Sequence, residues 1–518
     1  MVSPQRAQAL TCAAAVAAAC GLSDAAPTDP EPDGAISPTT GGELVKVSHE
    51  RALRGMWIPT VDNILFPSQP GLPENAQKAE LTALLDAAAK AGLNAVFFQV
   101  RPEGDALYES EIEPWSRFLT GTQGEDPGYD PLAFLIEQAR ERSIEVHAWL
   151  NPYRAKADAE REAAATHVAH TMPEHMRAYG SLLWMDPGAK QVRDHTVAVV
   201  RDLADRYAID GVHFDDYFYP YPSGDEFPDA DTYGAYLDTG GTMDLGEWRR
   251  DNVNRLIQRV SAALAGDHGH VRFGVSPFGI YRPGIPEGIR GLDQYGELFA
   301  DPVAWMEEGW LDYLAPQLYW PSSQPEQDYA TLLAWWSQIA GEGRYVFAGN
   351  FVSMLATEEV WSVDEFRHQL DVSRTHRGDG SKGNIFYHGQ PIIEDRADIA
   401  TVLRDEYYSA PALTPPVAAM RHVPVEPPNV SADVSADVSP DVLGDDGFTV
   451  ELSHPEPGPL RAWVVYEHRG GEYEIDRIVP AQRDRVELSA GRWAISAAGR
   501  HGVESSGVTV ELSPPTAR

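Results

Sequence analysis

The chain has 518 residues, enough for one large domain and a smaller one. Its formal net charge of -37 repels nucleic acids and anionic membranes, which excludes a polyanion-binding protein as the main role. Both cysteines, Cys12 and Cys20, lie in the first twenty residues, so the folded part has neither a disulfide framework nor a cysteine-based zinc site.

Residues 1–20 predict an export signal. The apolar run LTCAAAVAAAC, which ends at Cys20, is too short to remain as a membrane-spanning helix. The sequence AAACG around Cys20 is similar to a bacterial lipoprotein cleavage box but lacks the usual leucine three residues before the cysteine. We therefore expect an exported envelope protein that is either anchored by a lipid at Cys20 or secreted. Residues 21–49, rich in Pro, Asp, Gly and Thr, predict a flexible tether.

Residues 50–410 alternate between apolar runs, which predict strands, and helical patterns. The predicted strands are 53–60, 95–101, 145–153, the stretch from 209, 271–278, 311–320, 344–351 and 384–388. The predicted helices are 76–91, 131–142, a long region with an insertion that ends near 207, 248–264, 302–308, 329–341, 363–374 and 392–407. Eight strand–helix units over roughly 350 residues predict an α/β fold, a (β/α)8 TIM barrel.

Polar and apolar side chains alternate along these strands. In the second strand, Val96, Phe98 and Val100 alternate with Gln99 and Arg101. The apolar set must pack against the helices, so the polar set should face the barrel axis. Barrel enzymes carry their chemistry at the carboxyl ends of the strands. We therefore expect one rim formed by Arg101, Glu103, Asn151, Tyr153, Asp215, Ser276, Gln317, Tyr319, Asn350 and His388.

The stretch IDGVHFDDYFYPYP, residues 209–222, is the strongest functional signal. It places Asp215 and Asp216 side by side at the end of the fourth strand, followed by four aromatic residues. Two carboxylates flanked by flat rings suit a glycosidase, because one acid can protonate the leaving group while sugars stack on the rings. Like charge should raise one pKa, which favours a general acid. The alternative is a structural aspartate that caps the following loop.

The residues after the barrel predict two further segments. Residues 411–446, which include the repeat VSADVSADVSPDV, have no core-forming pattern and predict a disordered linker. Residues 447–515 contain short alternating segments separated by turns, which predict a β-sandwich similar to a fibronectin type III module. We expect this domain to act as a spacer or as a weak wall-binding or carbohydrate-binding module.

Several stretches, in order and over nearly the whole barrel, resemble one protein family. They are RGMWIPT, FFQVRPEGDALY, HAWLNPYR, LWMDPG, DGVHFDDYFYPYP, WRRDNVNRLI, FGVSPFGIYR and LDYLAPQLYW. Together they are similar to the glycosyl-hydrolase-like 10 family of bacterial envelope proteins. The resemblance implies a barrel glycosidase of the cell envelope, acting on peptidoglycan glycan strands from which the peptides have been removed.

The adjacent aspartates also resemble the pair in hexosaminidases that use the substrate's 2-acetamido group as nucleophile. This implies that Asp215 orients the acetamide and that Asp216 protonates the leaving oxygen. A rival assignment makes Asp215 a covalent nucleophile and Glu103 the acid. Arg101 is expected to pair with a carboxylate such as Glu103 or to meet an acidic group of the substrate. The remaining candidates are Trp149, Tyr217, Tyr219, Tyr319 and Trp320 for stacking on sugars, and Asn151, Gln317 and Asn350 for hydroxyls or the acetamide.

A different class of protein is also compatible with this sequence. A non-catalytic saccharide-binding envelope protein that retains the barrel is the alternative to an enzyme, since fold does not dictate function. No cofactor or metal is predicted. His167, His170 and His175 lack the i, i+4 spacing of a zincin, and their surroundings suggest a solvated helix face. His213 lies deeper than the aspartates and is expected to be a core histidine.

Overall fold

The computed structural model describes residues 42–341, 343–356, 361–433, 447–456 and 460–513. The predicted export signal and lipidation site therefore lie outside the described residues. Within these ranges, no helix combines the length and apolar character needed to cross a bilayer.

Eight parallel strands form a closed barrel in which each strand pairs with its neighbours in the chain. They are β1 Leu53–Ile58, β2 Ala95–Arg101, β3 Glu145–Leu150, β4 Gly211–Phe214, β5 Arg272–Val275, β6 Tyr313–Leu314, β7 Tyr345–Asn350 and β8 Ser381–Phe386. The predicted TIM barrel is confirmed. Strand β6 is shorter than predicted, and Pro316, which has no N–H to donate, lies two residues after its end.

Helices cover the outside of the barrel. They are α1 Glu74–Lys90, α2 Pro131–Arg140, α3 Lys190–Arg206, α4 Leu245–Leu264, α5 Pro302–Glu307, α6 Tyr329–Ile339 and α7 Val363–Thr375. Local signals explain their starts: Asp130 and Asp328 accept backbone N–H groups at the first turns of α2 and α6, and Asp244 with Glu247 forms a capping box on α4.

The helical layer contains the predicted insertion and one break that was not predicted. The insertion, between β3 and α3, contains a small sheet of Arg154–Lys156, Leu182–Met185 and Met176–Tyr179. The single helix predicted over 392–407 is broken into short segments: Gln390–Ile393, Arg396–Asp398, Ile399–Val402 and Leu403–Tyr407. The break occurs where Asp395, Ala397 and Asp398 adopt positive φ, and the Asp395 carboxylate accepts the N–H groups of Ala400 and Thr401.

The barrel interior is filled mainly by aromatic rings rather than by polar groups alone. Phe97, Trp57, Tyr313, Tyr345 and Phe347 belong to one buried cluster inside the strands. Glycines opposite make room for the large side chains. A Cβ on Gly274 would lie 2.1 Å from the Tyr313 ring, and one on Gly211 would lie 2.3 Å from Nδ1 of His147. The expectation that polar residues line the axis therefore holds only near the mouth, because the layers below it are a packed core.

A β-sandwich follows the barrel. Its strands are β9 Asn429–Asp433, β10 Gly447–Ser453, β11 Leu460–Arg469, β12 Glu472–Pro480, β13 Arg485–Ser489, β14 Gly491–Gly499 and β15 Gly507–Leu512. One sheet has the order β9-β10-β13, and the other has the order Leu44–Val45, β15, β14, β11, β12. Side chains of both sheets share one buried cluster, so the predicted sandwich is confirmed.

Part of the predicted tether and part of the predicted linker are ordered. Leu44–Val45 pairs with β15, so ordered chain begins inside the segment predicted to be a tether. Leu413 and Thr414 are buried, and β9 pairs with β10, so residues 411–433 are not a disordered linker. The rest of that predicted linker, residues 434–446, lies outside the described residues. Tertiary partners on the sandwich provide the burial that the local sequence pattern does not reveal.

The sandwich packs against the amino-terminal ends of the barrel strands. Nη1 of Arg461 lies 2.6 Å from Oδ1 of Asp210, just before β4, and the Thr414 hydroxyl donates to Glu145 at the start of β3 (2.6 Å). Arg500 donates to the backbone oxygen of Ile209 (2.8 Å). The carboxyl ends of the strands therefore form the mouth at the opposite end of the barrel, free of the sandwich.

Candidate active site

Asp215 and Asp216 lie directly after β4, at the carboxyl-terminal mouth of the barrel. Each is only 3% exposed. The two oxygens of Asp215 accept three hydrogen bonds, from Nε1 of Trp149 (3.1 Å), from Nδ2 of Asn151, and from the backbone N–H of Tyr217 (3.3 Å). These donors hold the Asp215 carboxylate in one orientation.

Asn151 is itself locked by its neighbours. Its Oδ1 accepts from Nε2 of Gln99 (2.7 Å) and from Nη2 of Arg154 (2.9 Å). Gln99 is oriented in turn, because its Oε1 accepts the backbone N–H groups of Thr60 (2.8 Å) and Val61 (3.0 Å). With its oxygen bound by two donors, the Asn151 amide can present only its NH2 group to Asp215. The backbone N–H groups just after β1, the Gln99 amide and the Asn151 amide thus form a chain of hydrogen bonds that positions the Asp215 carboxylate.

Asp216 has a different set of partners. The Tyr221 hydroxyl donates to its Oδ2, and the side chain of Gln317 provides a second hydrogen bond. Gln317 also donates to the backbone oxygen of Ser276 (3.1 Å), which follows β5. Asp216 is thus joined to the fifth and sixth strands, whereas Asp215 is joined to the second and third.

Burial and mutual repulsion favour a proton on this pair. Burial, together with the charge of Asp216, raises the pKa of Asp215 to about 7, and burial also raises the pKa of Asp216. Arg154 opposes both shifts; its Nε donates to the backbone oxygen of Pro102 (2.9 Å) and its guanidinium lies 5.2 Å from the Tyr217 ring centre. Ionisation of Asp216 therefore makes ionisation of Asp215 less favourable, and burial disfavours the charged form of both.

Replacing Asp215 with Asn should stabilise the protein at high pH. Because the folded-state pKa is raised to about 7, the folded chain retains a proton between about pH 4 and pH 7 that the unfolded chain has lost, and stability falls as pH rises through this window. At pH 8 we expect Asp215→Asn to raise the free energy of unfolding by about 1–3 kcal/mol. At pH 4.5 the gain should disappear.

Urea unfolding at the two pH values measures this difference. The matched control is Asp231→Asn, at an exposed residue in the first turn of the helix Ala230–Asp238 that pairs with Arg177. We expect it to change stability by less than about 1 kcal/mol at either pH. Equal effects of Asp215→Asn at both pH values would contradict the raised pKa.

Half-buried aromatic residues surround the pair at the mouth. Tyr319 stacks on Phe351 and Tyr387, with ring centres 4.7 and 5.8 Å apart, and Trp320 meets Phe278 edge-on at 5.5 Å. Tyr217 is also half-buried, and His388 follows Tyr387 at the end of β8. The structure therefore brings Trp149, Asn151, Tyr217, Gln317, Tyr319, Trp320 and His388 to the same end of the barrel as the aspartates.

Three predicted site residues do not face the mouth. Tyr153 is fully buried in the outer core, and its hydroxyl has no partner within the described residues. Tyr219 is 1% exposed and packs edge-on against Phe227 and Phe299. Asn350 donates to Tyr329 of α6 (3.0 Å) and Gln369 of α7 (2.8 Å).

The prediction that Asn350 faces the barrel mouth is wrong, because its neighbour Gly349 holds the inward-facing position on β7. Phe347 lies inside the barrel, Val346 and Ala348 lie in the outer core, and Gly349 is the next residue on the inner side. A Cβ on Gly349 would lie 3.2 Å from the Trp57 ring, which confirms that position 349 faces the axis. Side chains alternate along a strand, so Asn350 must point to the helices. The predictions for Tyr153 and Tyr219 are wrong because both residues pack under the loops that follow β3 and β4.

Arg101 and Glu103 are close to the mouth but have other partners. Arg101 is fully buried and forms a bidentate pair with Glu113 (2.7 and 2.5 Å), so it pairs with neither Glu103 nor solvent. Glu103 accepts from Nε of Arg117 (2.9 Å) and the N–H of Ala157 (2.6 Å). Both Glu103 oxygens are occupied as acceptors, and no described contact joins Glu103 to Asp215 or Asp216. The arrangement disfavours Glu103 as the proton donor.

Sequence reasoning missed Gln99, Arg154 and Tyr221 as parts of the site. Each lay in a stretch already singled out, namely FFQVR, HAWLNPYR and FYPYP, but no pattern distinguishes a residue that orients a carboxylate from its neighbours. The prediction that His167 lies on a solvated helix face is wrong. It is fully buried, its Nε2 lies 2.8 Å from the backbone oxygen of Glu103, and it caps the short helix Val168–Thr171.

The described ranges contain no group of three or more His, Cys, Asp or Glu side chains arranged to hold a metal ion. What the mouth offers is a protonated carboxyl pair, amide and indole donors, one buried arginine and a ring of aromatic faces. This set can transfer a proton, orient a polar group and stack on flat apolar surfaces.

Comparison with solved structures returns other barrels at low identity. The PgaB (BpsB) glycoside hydrolase domain from Bordetella bronchiseptica covers 68% of this chain and 98% of its own, with 15% identity and a TM-score of 0.45. The catalytic domain of β-amylase from Paenibacillus polymyxa covers 70% and 99%, with 10% identity and a TM-score of 0.49.

Sequence comparison is more specific. Glycosyl hydrolase YngK of Bacillus subtilis (strain 168) is 37% identical over 390 residues, which cover 72% of this chain and 75% of that protein. Glycosyl hydrolase DigH of Escherichia coli (strain K12) is 36% identical over 333 residues, 60% of this chain and 75% of that protein. The model of the family described as glycosyl hydrolase-like 10 matches residues 52–347. The chain therefore belongs to the glycosyl hydrolase-like 10 family.

Proposed function

We propose that this protein is a glycoside hydrolase that cleaves β-linked N-acetylated hexosamine glycans, and that its substrate is peptide-free peptidoglycan. The observation that carries the proposal is the buried Asp215–Asp216 pair at the barrel mouth, where burial raises the pKa of both carboxyls. A carboxyl that stays protonated near pH 7 is what a general acid requires. Membership of the glycosyl hydrolase-like 10 family supports the reaction class.

The hydrogen bonds suggest a division of labour within the pair. Three donors hold Asp215, which suits a group that orients and charges the substrate's acetamide. Asp216 is bound by the hydroxyl of Tyr221 and by Gln317, and it is the proton donor to the leaving oxygen in this proposal. The acetamide oxygen attacks the anomeric carbon as the glycosidic bond breaks, and water then opens the cyclic intermediate. Asp216 takes back a proton from that water.

The remaining mouth residues would bind the glycan. Tyr217, Tyr319 and Trp320 offer half-buried rings on which pyranose faces can stack. Gln317 provides an amide group for the acetamide or for hydroxyls, whereas the buried Asn151 amide acts through Asp215. We also propose that the chain is exported and acts in the cell envelope, held by a lipid at Cys20 or secreted, since its substrate would lie there.

Incubation of the purified chain with peptide-free glycan strands tests the activity directly. We expect new reducing ends and short N-acetylated oligosaccharides, detected by reductive labelling and mass spectrometry. Strands that retain their peptides should be cleaved more slowly. For the variants Asp215→Asn and Asp216→Asn, the matched control is Asp231→Asn, because it makes the same chemical change on an exposed side chain.

The alternative, a saccharide-binding protein without activity, predicts a different result. Glycan strands would then be retained by the protein with no new reducing ends, and retention would be equal in the wild type and in Asp215→Asn. That outcome would overturn the enzymatic proposal.

A further inference from the structure

A second cavity lies at the other end of the barrel. It has a volume of about 290 Å³ and is bounded by the barrel's amino-terminal face and by the sandwich. Arg140 at the end of α2, Ser143 just after it, and Asp210 before β4 line the barrel side, while Arg461 of β11 and Arg500 after β14 line the sandwich side. None of its lining residues belongs to the aspartate site at the mouth.

The cavity is positively charged in an acidic protein. Its charged lining residues are three arginines and one aspartate, in a chain whose formal net charge is -37. Asp210 lies 2.6 Å from Nη1 of Arg461 and 3.6 Å from Nη2 of Arg500, so this one carboxylate of the lining is shared by two of the three cations. The neighbouring Glu145 lies 4.0 Å from Nη1 of Arg461, but it is shared with Arg272 and accepts from the Thr414 hydroxyl, so it balances Arg461 only in part.

Hydrogen-bonding capacity in this cavity is not used up. The Arg140 guanidinium makes no hydrogen bond or ion pair within the part of the chain that the structure describes. The Ser143 hydroxyl is buried and also has no partner among those residues. Burial lowers the pKa of Arg500, Asp210 opposes this shift, and Arg461 and Arg140 add to it through repulsion. Clustered like charges and unpaired donors of this kind are stabilised by an anion.

We propose that this cavity binds an oxyanion group, either a phosphate or a carboxylate, between Arg140, Arg461 and Arg500. Guanidinium groups match such anions in geometry and charge, and the Ser143 hydroxyl can donate a further hydrogen bond. The anion is either free in solution or carried by an acidic polymer. An acidic polymer would bind between the sandwich and the amino-terminal face of the barrel, and the mouth at the opposite end would stay open to substrate.

Calorimetric titration of the full chain with inorganic phosphate tests the proposal. We expect saturable binding at one site that Arg140→Gln weakens about tenfold, the effect of losing one charge-assisted hydrogen bond. Arg140 is exposed and has no other partner, so this variant should fold normally. The matched control is Arg483→Gln, which removes an exposed arginine paired with Glu141 outside the cavity, and it should change phosphate affinity less than twofold.

Absence of saturable phosphate binding by the wild type would overturn the proposal, as would equal affinity in the wild type and Arg140→Gln. Arg500→Gln should weaken binding further if it folds, and its failure to fold leaves the Arg140→Gln comparison decisive. Poly(glycerol phosphate) separates the two sources of the anion. Retention of this polymer that is lost in Arg140→Gln assigns a polymer-borne group, whereas phosphate binding without polymer retention assigns a free anion.

Discussion

Replacing Asp216 with Asn should reduce kcat on peptide-free glycan strands by about 10²–10⁴-fold, the usual contribution of a positioned general acid. Asn has nearly the same shape and can still accept from Tyr221, but it cannot donate a proton to the leaving oxygen. KM should change little, because the acid acts on the bond that breaks. Initial rates of reducing-end formation give both constants.

The pH profile distinguishes loss of an acid from loss of structure. In the wild type, kcat should fall as pH rises and Asp216 loses its proton, at a pH above the ordinary aspartate range because burial raises its pKa. Asp216→Asn should lose that decline along with most of its activity. An aryl glycoside of N-acetylhexosamine with a good leaving group needs less protonation, so it should restore much of the rate. Full activity on glycan strands in Asp216→Asn would remove Asp216 from the mechanism.

Replacing Glu113 with Ala should destabilise the fold by about 3–5 kcal/mol, because it leaves the fully buried Arg101 without its counter-ion. Although burial opposes ionisation, Arg101 and a hydrogen bond from His195 lower the pKa of Glu113 to about 2. The pair therefore stabilises the fold above about pH 4.5, and this contribution is lost as pH falls through about 2. Urea unfolding at pH 7 measures the loss.

Two variants check the cause of that loss. The exposed pair of Lys190 and Asp194 offers a control, and Asp194→Ala should cost less than about 1 kcal/mol. Replacing both buried partners, Arg101→Met with Glu113→Leu, should be less harmful than Glu113→Ala alone, since no unpaired charge remains. A loss below about 1 kcal/mol in Glu113→Ala would contradict the buried ion pair. Arg101 also donates to the backbone oxygen of Asn151 (2.7 Å), so activity should fall as well.

Prediction from sequence succeeded where a local pattern and its physical cause coincide. Strand β2 has the predicted bounds, Ala95–Arg101. Its alternating polar and apolar residues, its aromatic and β-branched side chains and its burial all favour a β-strand. Asn350 was misassigned because β7 carries Gly349 and Ala348, two small residues that leave the direction of alternation ambiguous. The segment 411–433 lacks an amphipathic period and still folds, because the sandwich and the barrel bury it from two sides.

The sequence by itself determined the eight-unit barrel, the sandwich after it, and the carboxylate pair at the end of the fourth strand, since periodicity and the adjacency of Asp215 and Asp216 are local properties. Only the tertiary structure decided which side chains serve that pair. Three examples are the hydrogen bond between Gln99 and Asn151, the ion pair between Arg101 and Glu113, and the arginine cavity between barrel and sandwich. Each brings together residues that are not neighbours in the chain. Such partnerships depend on distances and directions in three dimensions, which a one-dimensional pattern does not contain.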